Sequence, residues 1–348
     1  MANILLFGGG AIGGVYIYTF LQAGCTVTAV LRSNYAHVKT QGFHMDSIRF
    51  GCVDFHPTNV VRDIHEAVQF GPYDFVVVCS KTFPGSKPSL ADQIRPAITP
   101  TTAIVLIQNG IDIEHDVSQE FPSNALLSTV VYLPSTQTSP GIIDYGYAQN
   151  ETLNLLEIGT YPSTAPPSHK TTAETLANLI TTAGGVAQVY SDIQPQRWSK
   201  LIVNASWNPI TALSLCTDAD FLRSSNPYSK RLVQSVMYEV VSIAQALHIP
   251  NITREIADTH LARHAKRTVG KAPSMLVDVQ ENRPFEVEAI VGNAVRIAEK
   301  VDVKVPLLEA LYALAKGLFE AGERSRREGD IGTGIAGSTT SKKEVNGF

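Results

Sequence analysis

The chain has 348 residues, 44% of them hydrophobic and 17% charged, with a formal net charge of −4. That length supports two domains with a sizeable core, and the composition is that of an ordinary globular protein. The negative balance argues against nucleic acid as a partner, because no surplus of basic residues is available to neutralise a phosphate backbone.

No charged residue precedes Arg32. The stretch is nevertheless broken by Gly8, Gly9, Gly10, Gly13, Gly14 and Gly24, and it lacks a basic leader and a cleavage site, so no membrane role is expected. The end at Phe348 carries no lipidation or retention signal. Cys25, Cys52, Cys79 and Cys216 fall at neither metal nor redox spacing, which points to a reducing cytoplasm and no metal site.

In chain order, Asn3–Phe7 is a short apolar run that ends in glycines, as a buried parallel strand does. Ala11–Ala23 has helical apolar spacing and stops at Gly24, and Thr26–Leu31 is a β-branched strand. Phe75–Cys79 and Ile104–Ile107 repeat the theme, so a doubly wound parallel sheet is expected. Leu126–Val131, Gly141–Tyr147 and Thr152–Ile158 are closer together and predict hairpin-linked strands. Tyr161–His169 is rich in Pro, Ser and Thr and predicts a loop, followed by a helix over Thr172–Ala183 and a strand over Val186–Tyr190. Beyond Pro195 the pattern is almost entirely helical, with long periodic stretches at Tyr228–Leu247, Phe285–Lys300 and Leu307–Phe319. The expected fold class is therefore α/β: an N-terminal Rossmann domain over residues 1–193 and an all-helical domain over 194–320. Residues 321–348 are polar and Gly-rich and are expected to form a disordered tail.

Gly8-Gly9-Gly10-Ala11-Ile12-Gly13 is a G-x-G-x-x-G that follows a strand and opens a helix. Gly8 makes the tight turn, Gly10 lets the backbone approach a pyrophosphate, and Gly13 lets the helix pack on the sheet. The N–H groups at the helix start then receive the anion. The second strand ends in Ala29-Val30-Leu31-Arg32-Ser33-Asn34, with no carboxylate for a ribose 2′-hydroxyl. Arg32 offers a forked cation suited to a 2′-phosphate, which favours NADP(H) over NAD(H).

Lys200, Asn204 and Asn208 recur at i, i+4 and i+8 and make one narrow polar stripe on a helix. Trp198, Leu201, Ile202, Val203, Ala205, Trp207 and Ile210 make the rest of that helix apolar, so it is expected to be buried. A buried Lys and two Asn must then find polar partners or line a cleft. Pro209 is expected to kink the helix.

These motifs, with Lys81 in Cys79-Ser80-Lys81-Thr82, Gln108-Asn109-Gly110, Pro273-Ser274-Met275-Leu276-Val277-Asp278 and Arg283-Pro284-Phe285-Glu286-Val287-Glu288, resemble the ketopantoate reductase family from Gly8 to about Tyr312. The resemblance implies NADPH-dependent reduction of a 2-keto acid to a 2-hydroxy acid, with 2-dehydropantoate first. It implies Lys200 and Glu286 as catalytic residues, and Asn204, Asn208, Ser274 and Asn109 as substrate contacts. Gly8, Gly9, Gly10, Ala11, Ile12, Gly13, Arg32, Lys81 and Asn109 would hold the cofactor. A monomer or homodimer is expected. Without the resemblance, Glu286 reads as an exposed first-turn carboxylate, Lys81 as a surface lysine and Asn109 as half of an Asn-Gly turn.

Where many relatives carry small residues, often Gly-Ala, this chain reads Tyr132-Leu133-Pro134-Ser135-Thr136-Gln137, bulk that would reshape the pocket. Other 2-keto acids and D-2-hydroxyacids therefore stand as alternative substrates. A dinucleotide-binding sensor without catalysis is the third reading. It leaves the Lys200, Asn204, Asn208 and Glu286 set without a purpose.

Overall fold

In the computed structural model, residues 1–146 and 155–332 are described. The strands are β1 (Asn3–Phe7), β2 (Thr26–Val30), β3 (Phe43–Ser47), β4 (Gly51–Phe55), β5 (Asn59–Val61), β6 (Phe75–Val78), β7 (Ala103–Leu106), β8 (Leu126–Tyr132), β9 (Ser135–Ser139), β10 (Ile142–Tyr145), β11 (Leu155–Thr160) and β12 (Val186–Val189). The main sheet has the order β12-β11-β8-β7-β6-β1-β2-β5. From β5 to β8 the strands are parallel. β11 runs antiparallel to β8, and β12 parallel to β11.

The central strands are continuous apolar runs because both faces of the sheet are covered. On one face Ile4, Leu6, Val77 and Val105 pack with Val15, Tyr16 and Phe20 of the helix Ala11–Gln22. On the other, Leu5, Val76 and Ile104 pack with Ile64, Ile94 and Val117. Chain order reverses between β1 and β6, so the crevice beyond their carboxyl ends is the place where an open α/β sheet binds ligands.

The remainder is helical, as the patterning predicts. Its core gathers Trp198 and Trp207 with Val236, Val240, Ile290 and Leu308. The helices are Gln194–Ser214, Asp218–Ser224, Tyr228–Ala246, Arg254–Ala265, Ser274–Gln280, Asn293–Lys300 and Pro306–Gly332. Gln194–Ser214 runs through Pro209 as one helix. A π-helical turn, Glu288–Gly292, leads into Asn293–Lys300. Among the described residues, no helix is long and apolar enough to cross a membrane.

Several expectations are corrected. β9 and β10 form a hairpin, but in a second sheet of order β4-β3-β10-β9, while the antiparallel partner of β8 is β11. Patterning misses β9 because Ser135–Ser139 has no apolar residue to alternate, and β5 because it has only three residues. Tyr147 and residues 152–154, expected in strands, lie outside the described residues. The predicted loop at Tyr161–His169 is cut short because Pro167 opens a helix, a position where its missing N–H costs nothing. The last helix continues to Gly332, past the predicted onset of the tail at Ala321. Arg326 holds it there, bonding Glu323 and the Asn282 backbone. Residues 333–348 of the expected tail lie outside the described residues.

One buried ion pair joins sheet to helices. The Nε of Arg197 lies 3.0 Å from Glu114 Oε1, and both side chains are almost wholly buried. The guanidinium also donates to the carbonyls of Gln108, Gly110 and Thr129 and to Ser128 Oγ. Removing one partner of such a pair strands the other charge in a dry interior. Arg197→Met is therefore expected to lower the unfolding free energy by about 3–5 kcal/mol in a denaturant titration. A change below about 1 kcal/mol, the level of an exposed pair, would show that the pair does not hold the two parts together.

Candidate active site

The glycine loop occupies the crevice between β1 and β6. Gly8 adopts φ +103°, and a Cβ there would lie 2.5 Å from the backbone nitrogen of Ser80. At Gly13 a Cβ would lie 2.0 Å from the carbonyl oxygen of Gly8, so the helix can pack this closely only without a side chain. Gly10 differs: its backbone is ordinary, and a Cβ would meet nothing within 4 Å. Neither backbone strain nor protein packing calls for glycine at that position, and the open space over it is what a close-lying pyrophosphate would fill. The helix Ala11–Gln22 also starts without a side-chain cap, which leaves its first N–H groups available to an anion. These residues fit a dinucleotide. Arg32, exposed at the end of β2, donates to Gln93 Oε1 at 2.9 Å and so sits at the rim of the crevice.

Arg197 then builds the chemical centre. By holding the carbonyls on either side of Asn109, it fixes that turn against the helix Gln194–Ser214. Gly110 takes φ +107° and packs against the Ala289 backbone of the π-helical turn, and Ile111 N–H donates to Ala289 O at 3.0 Å. One helical turn beyond Arg197, Lys200 Nζ donates to Asn109 Oδ1 at 2.9 Å and to the Val131 carbonyl at 2.6 Å. Asn109 Nδ2 points the other way, 3.4 Å from Glu286 Oε2. The other Glu286 oxygen accepts from Thr82 N–H at 2.9 Å. A chain Glu286–Asn109–Lys200 thus spans the two parts of the molecule.

Burial sets the charges. Lys200 is pulled down to about 8, first by loss of solvent and then by the Arg197 charge, while Glu286 and Glu157 oppose the fall. Burial raises Glu286, and the Thr82 N–H, Lys81 and Asn109 hold it partly back. With only 8% of its surface exposed, Glu286 is not the solvated first-turn carboxylate that its position alone suggests.

Asn204 lines a small cleft with Asn109, Val130, Lys200 and Leu201. Asn208, one turn deeper, is buried, and its Nδ2 has no partner among the described residues. Ser274 is the exposed first residue of the helix Ser274–Gln280, which packs on Gln194–Ser214. Its hydroxyl makes no hydrogen bond among the described residues. Lys81 is not an ordinary surface lysine: it lies 2.6 Å from Asp278 Oδ1, a carboxylate only 7% exposed, and donates to the Pro284 carbonyl. It latches the β6 loop to the helical part.

Sequence reasoning missed Arg197, Glu114 and Asp278, which position the site. The signal for Arg197 was available: an arginine between apolar residues on a helix read as buried must have a buried partner. Tyr132, at the end of β8, was singled out only for bulk. Its ring lies 5.4 Å from Lys200 Nζ and it is 40% exposed.

Residues 4–158 match the family model "Ketopantoate reductase PanE/ApbA", and residues 192–319 match "Ketopantoate reductase PanE/ApbA C terminal". A 2-dehydropantoate 2-reductase of Nostoc sp. is 28% identical over 321 residues, 90% of this chain and 94% of that one. The crystal structure of 2-dehydropantoate 2-reductase from Methylococcus capsulatus is 33% identical, with TM-score 0.79 over 92% of this chain and 97% of that chain. D-mandelate dehydrogenase with NADH and anilino(oxo)acetate shares the fold at TM-score 0.80, over 92% of this chain and 99% of that chain, at 18% identity. With both halves matched and the glycine loop, the lysine stripe and Glu286 brought to one crevice, the chain belongs to the ketopantoate reductase family of oxidoreductases.

Proposed function

We propose that the protein reduces the keto group of a small 2-keto acid, with 2-dehydropantoate as the leading substrate and NADPH as the hydride donor. The observation that carries this reading is the Lys200 amine, bonded to Asn109 Oδ1 at 2.9 Å beside the glycine-loop crevice, where loss of solvent lowers it to about 8. Bound NADPH would supply the hydride.

The chain's own residues do the rest. Hydride addition to a ketone leaves a basic oxygen, and Lys200 Nζ gives that oxygen a proton. Asn109 keeps the ammonium aimed into the cleft. Glu286, on the far side of Asn109, favours the charged form of Lys200 and is placed to accept from a substrate hydroxyl. Asn204, which lines the cleft, supplies an amide donor for the substrate's polar groups, and the buried Asn208, whose Nδ2 has no partner among the described residues, backs it one turn deeper. Ser274 stands at the approach to the same helix and would contact the carboxylate. Arg32 and Lys81 lie on the dinucleotide side, Arg32 for a 2′-phosphate. The division of labour follows the domain boundary we place near residue 193, with the cofactor on the sheet and the proton donor on the helices.

A second reading keeps the reaction and changes the acid. Tyr132 stands beside Lys200, and an exposed aromatic face there suits a substrate with a larger side chain. Measuring NADPH oxidation over a panel of 2-keto acids separates the two. Reduction of aryl or branched acids in preference to 2-dehydropantoate would favour the second, and no oxidation with any acid would overturn both.

Lys200→Ala should lower kcat by roughly 10²–10⁴, the range for removing a positioned acid, with NADPH affinity nearly unchanged. Near-normal kcat in that variant would remove the proton-donor role. Because reduction needs the ammonium, kcat/KM should be sustained below about 8 and fall as pH rises through it; a profile flat to about pH 10, the range of an unperturbed lysine, would contradict this.

Arg32→Ala should remove most of a preference for NADPH over NADH, expected at about 1–3 kcal/mol for a charge-assisted contact. Equal affinities in the unmodified protein would sink the NADP assignment.

A further inference from the structure

Lys200 makes no hydrogen bond to a carboxylate among the described residues. Its two acceptors, Asn109 Oδ1 and the Val131 carbonyl, are neutral. Arg197, one turn away on the same helix, repels it, although Glu114 takes up much of that charge. Glu286 lies beyond Asn109, on the side of β6 and β7, and its oxygens accept from Thr82 N–H and Asn109 Nδ2 rather than from Lys200. A second carboxylate approaches from the opposite side.

Glu157 lies on β11, which pairs with β8 away from β7. It stands directly opposite Val130, so its side chain shares the face of Val130 and Tyr132. On that face the Tyr132 ring lies 5.4 Å from Lys200 Nζ, and Val130 lines the cleft together with Lys200 and Leu201. Glu157 is only 8% exposed. Tyr190 donates to its Oε1 at 3.2 Å, and its Oε2 is buried with no partner among the described residues. A buried carboxylate oxygen without a donor is costly unless a charge lies near. Burial raises Glu157, while the Tyr190 hydroxyl and the Lys200 charge hold it partly back, and Glu157 in turn favours the charged form of Lys200.

We propose that Glu157 is a positioning residue that acts through Lys200, holding its ammonium charged from the β11 side while Glu286 does so from the β6 side. The meaning of this for turnover rests on Lys200 being the proton donor; the coupling itself does not. The other groups facing this layer leave the work to the two carboxylates. Although the Tyr132 ring is partly exposed, loss of solvent raises its phenol, which stays neutral. Tyr190 is raised as well, and its hydroxyl serves as a donor. His260, bonded to Ser199, is held down to about 4 and is uncharged at neutral pH. Arg263 stands near Tyr132 and His260 and adds only positive charge.

The test is a titration of Lys200 by NMR in full-length protein labelled at lysine 13Cε, the resonance being the one lost in Lys200→Arg. The unmodified protein should give a midpoint near 8. Glu157→Gln should lower that midpoint by about 0.5–1 pH unit, as removal of a nearby opposite charge does, and Glu157→Asp should keep it close to the original. The alkaline limb of kcat/KM should move down by the same amount in Glu157→Gln. The reciprocal variant, Lys200→Met with glutamate 13Cδ labelling, should raise the Glu157 midpoint, whether or not Glu157→Gln folds. A Lys200 midpoint in Glu157→Gln within about 0.2 unit of the unmodified value, or a Glu157 midpoint unmoved by Lys200→Met, overturns the proposal. If the unmodified protein reduces no keto acid, the functional reading fails, and the two NMR midpoints still decide the coupling.

Discussion

The buried Arg197 guanidinium is the contact on which the site depends. It touches Glu114, Ser128 and Thr129 on the sheet side and both carbonyls flanking Asn109. Lys200 follows one helical turn later and repeats the pattern with Asn109 and Val131. Two successive residues of β8 with the same orientation, Thr129 and Val131, thus receive two successive basic residues of one helix. The match of a helical turn to two strand residues fixes the helix on the sheet and aims the amine into the cleft.

That arrangement also explains why Lys200 is unusual. A lysine seated over the edge of a sheet loses water, and a neighbouring arginine adds repulsion, so its amine falls to about 8. Were Glu114 absent, the Arg197 charge would be uncompensated and the amine would fall further. Glu286 and Glu157 then pull in the other direction. The result is an ammonium that exists at neutral pH and can release its proton, the condition general acid catalysis requires.

Much of this was legible in the residues. The parallel strands showed as short apolar runs closed by a glycine turn or a polar loop, because burial on both faces removes the need for polar alternation. The glycine loop was recognisable because its G-x-G-x-x-G spacing follows an apolar strand and opens a helix. The Lys200, Asn204 and Asn208 stripe stood out against an apolar helix. The second sheet was not legible: β9 is Ser, Thr and Gln, and β4 is mostly exposed, so neither carries a period of two. The extension to Gly332 was hidden because its last turns are polar and rest on side-chain pairs rather than on a buried stripe. Glu157 could not be singled out, since a lone acid in an apolar strand gains its partners only from register with β8 and from Tyr190, which is 33 residues away.

The central claim is that Asn109 and Lys200 act as one unit held by Arg197. A double-mutant cycle on kcat/KM, with Asn109→Ala, Lys200→Ala and the pair, measures it directly. If the amide serves to aim the amine, the double variant should be hardly worse than Lys200→Ala alone, with an interaction energy of about 1–3 kcal/mol. Effects that add to within about 0.5 kcal/mol would show that the two residues contribute independently, and would contradict the account.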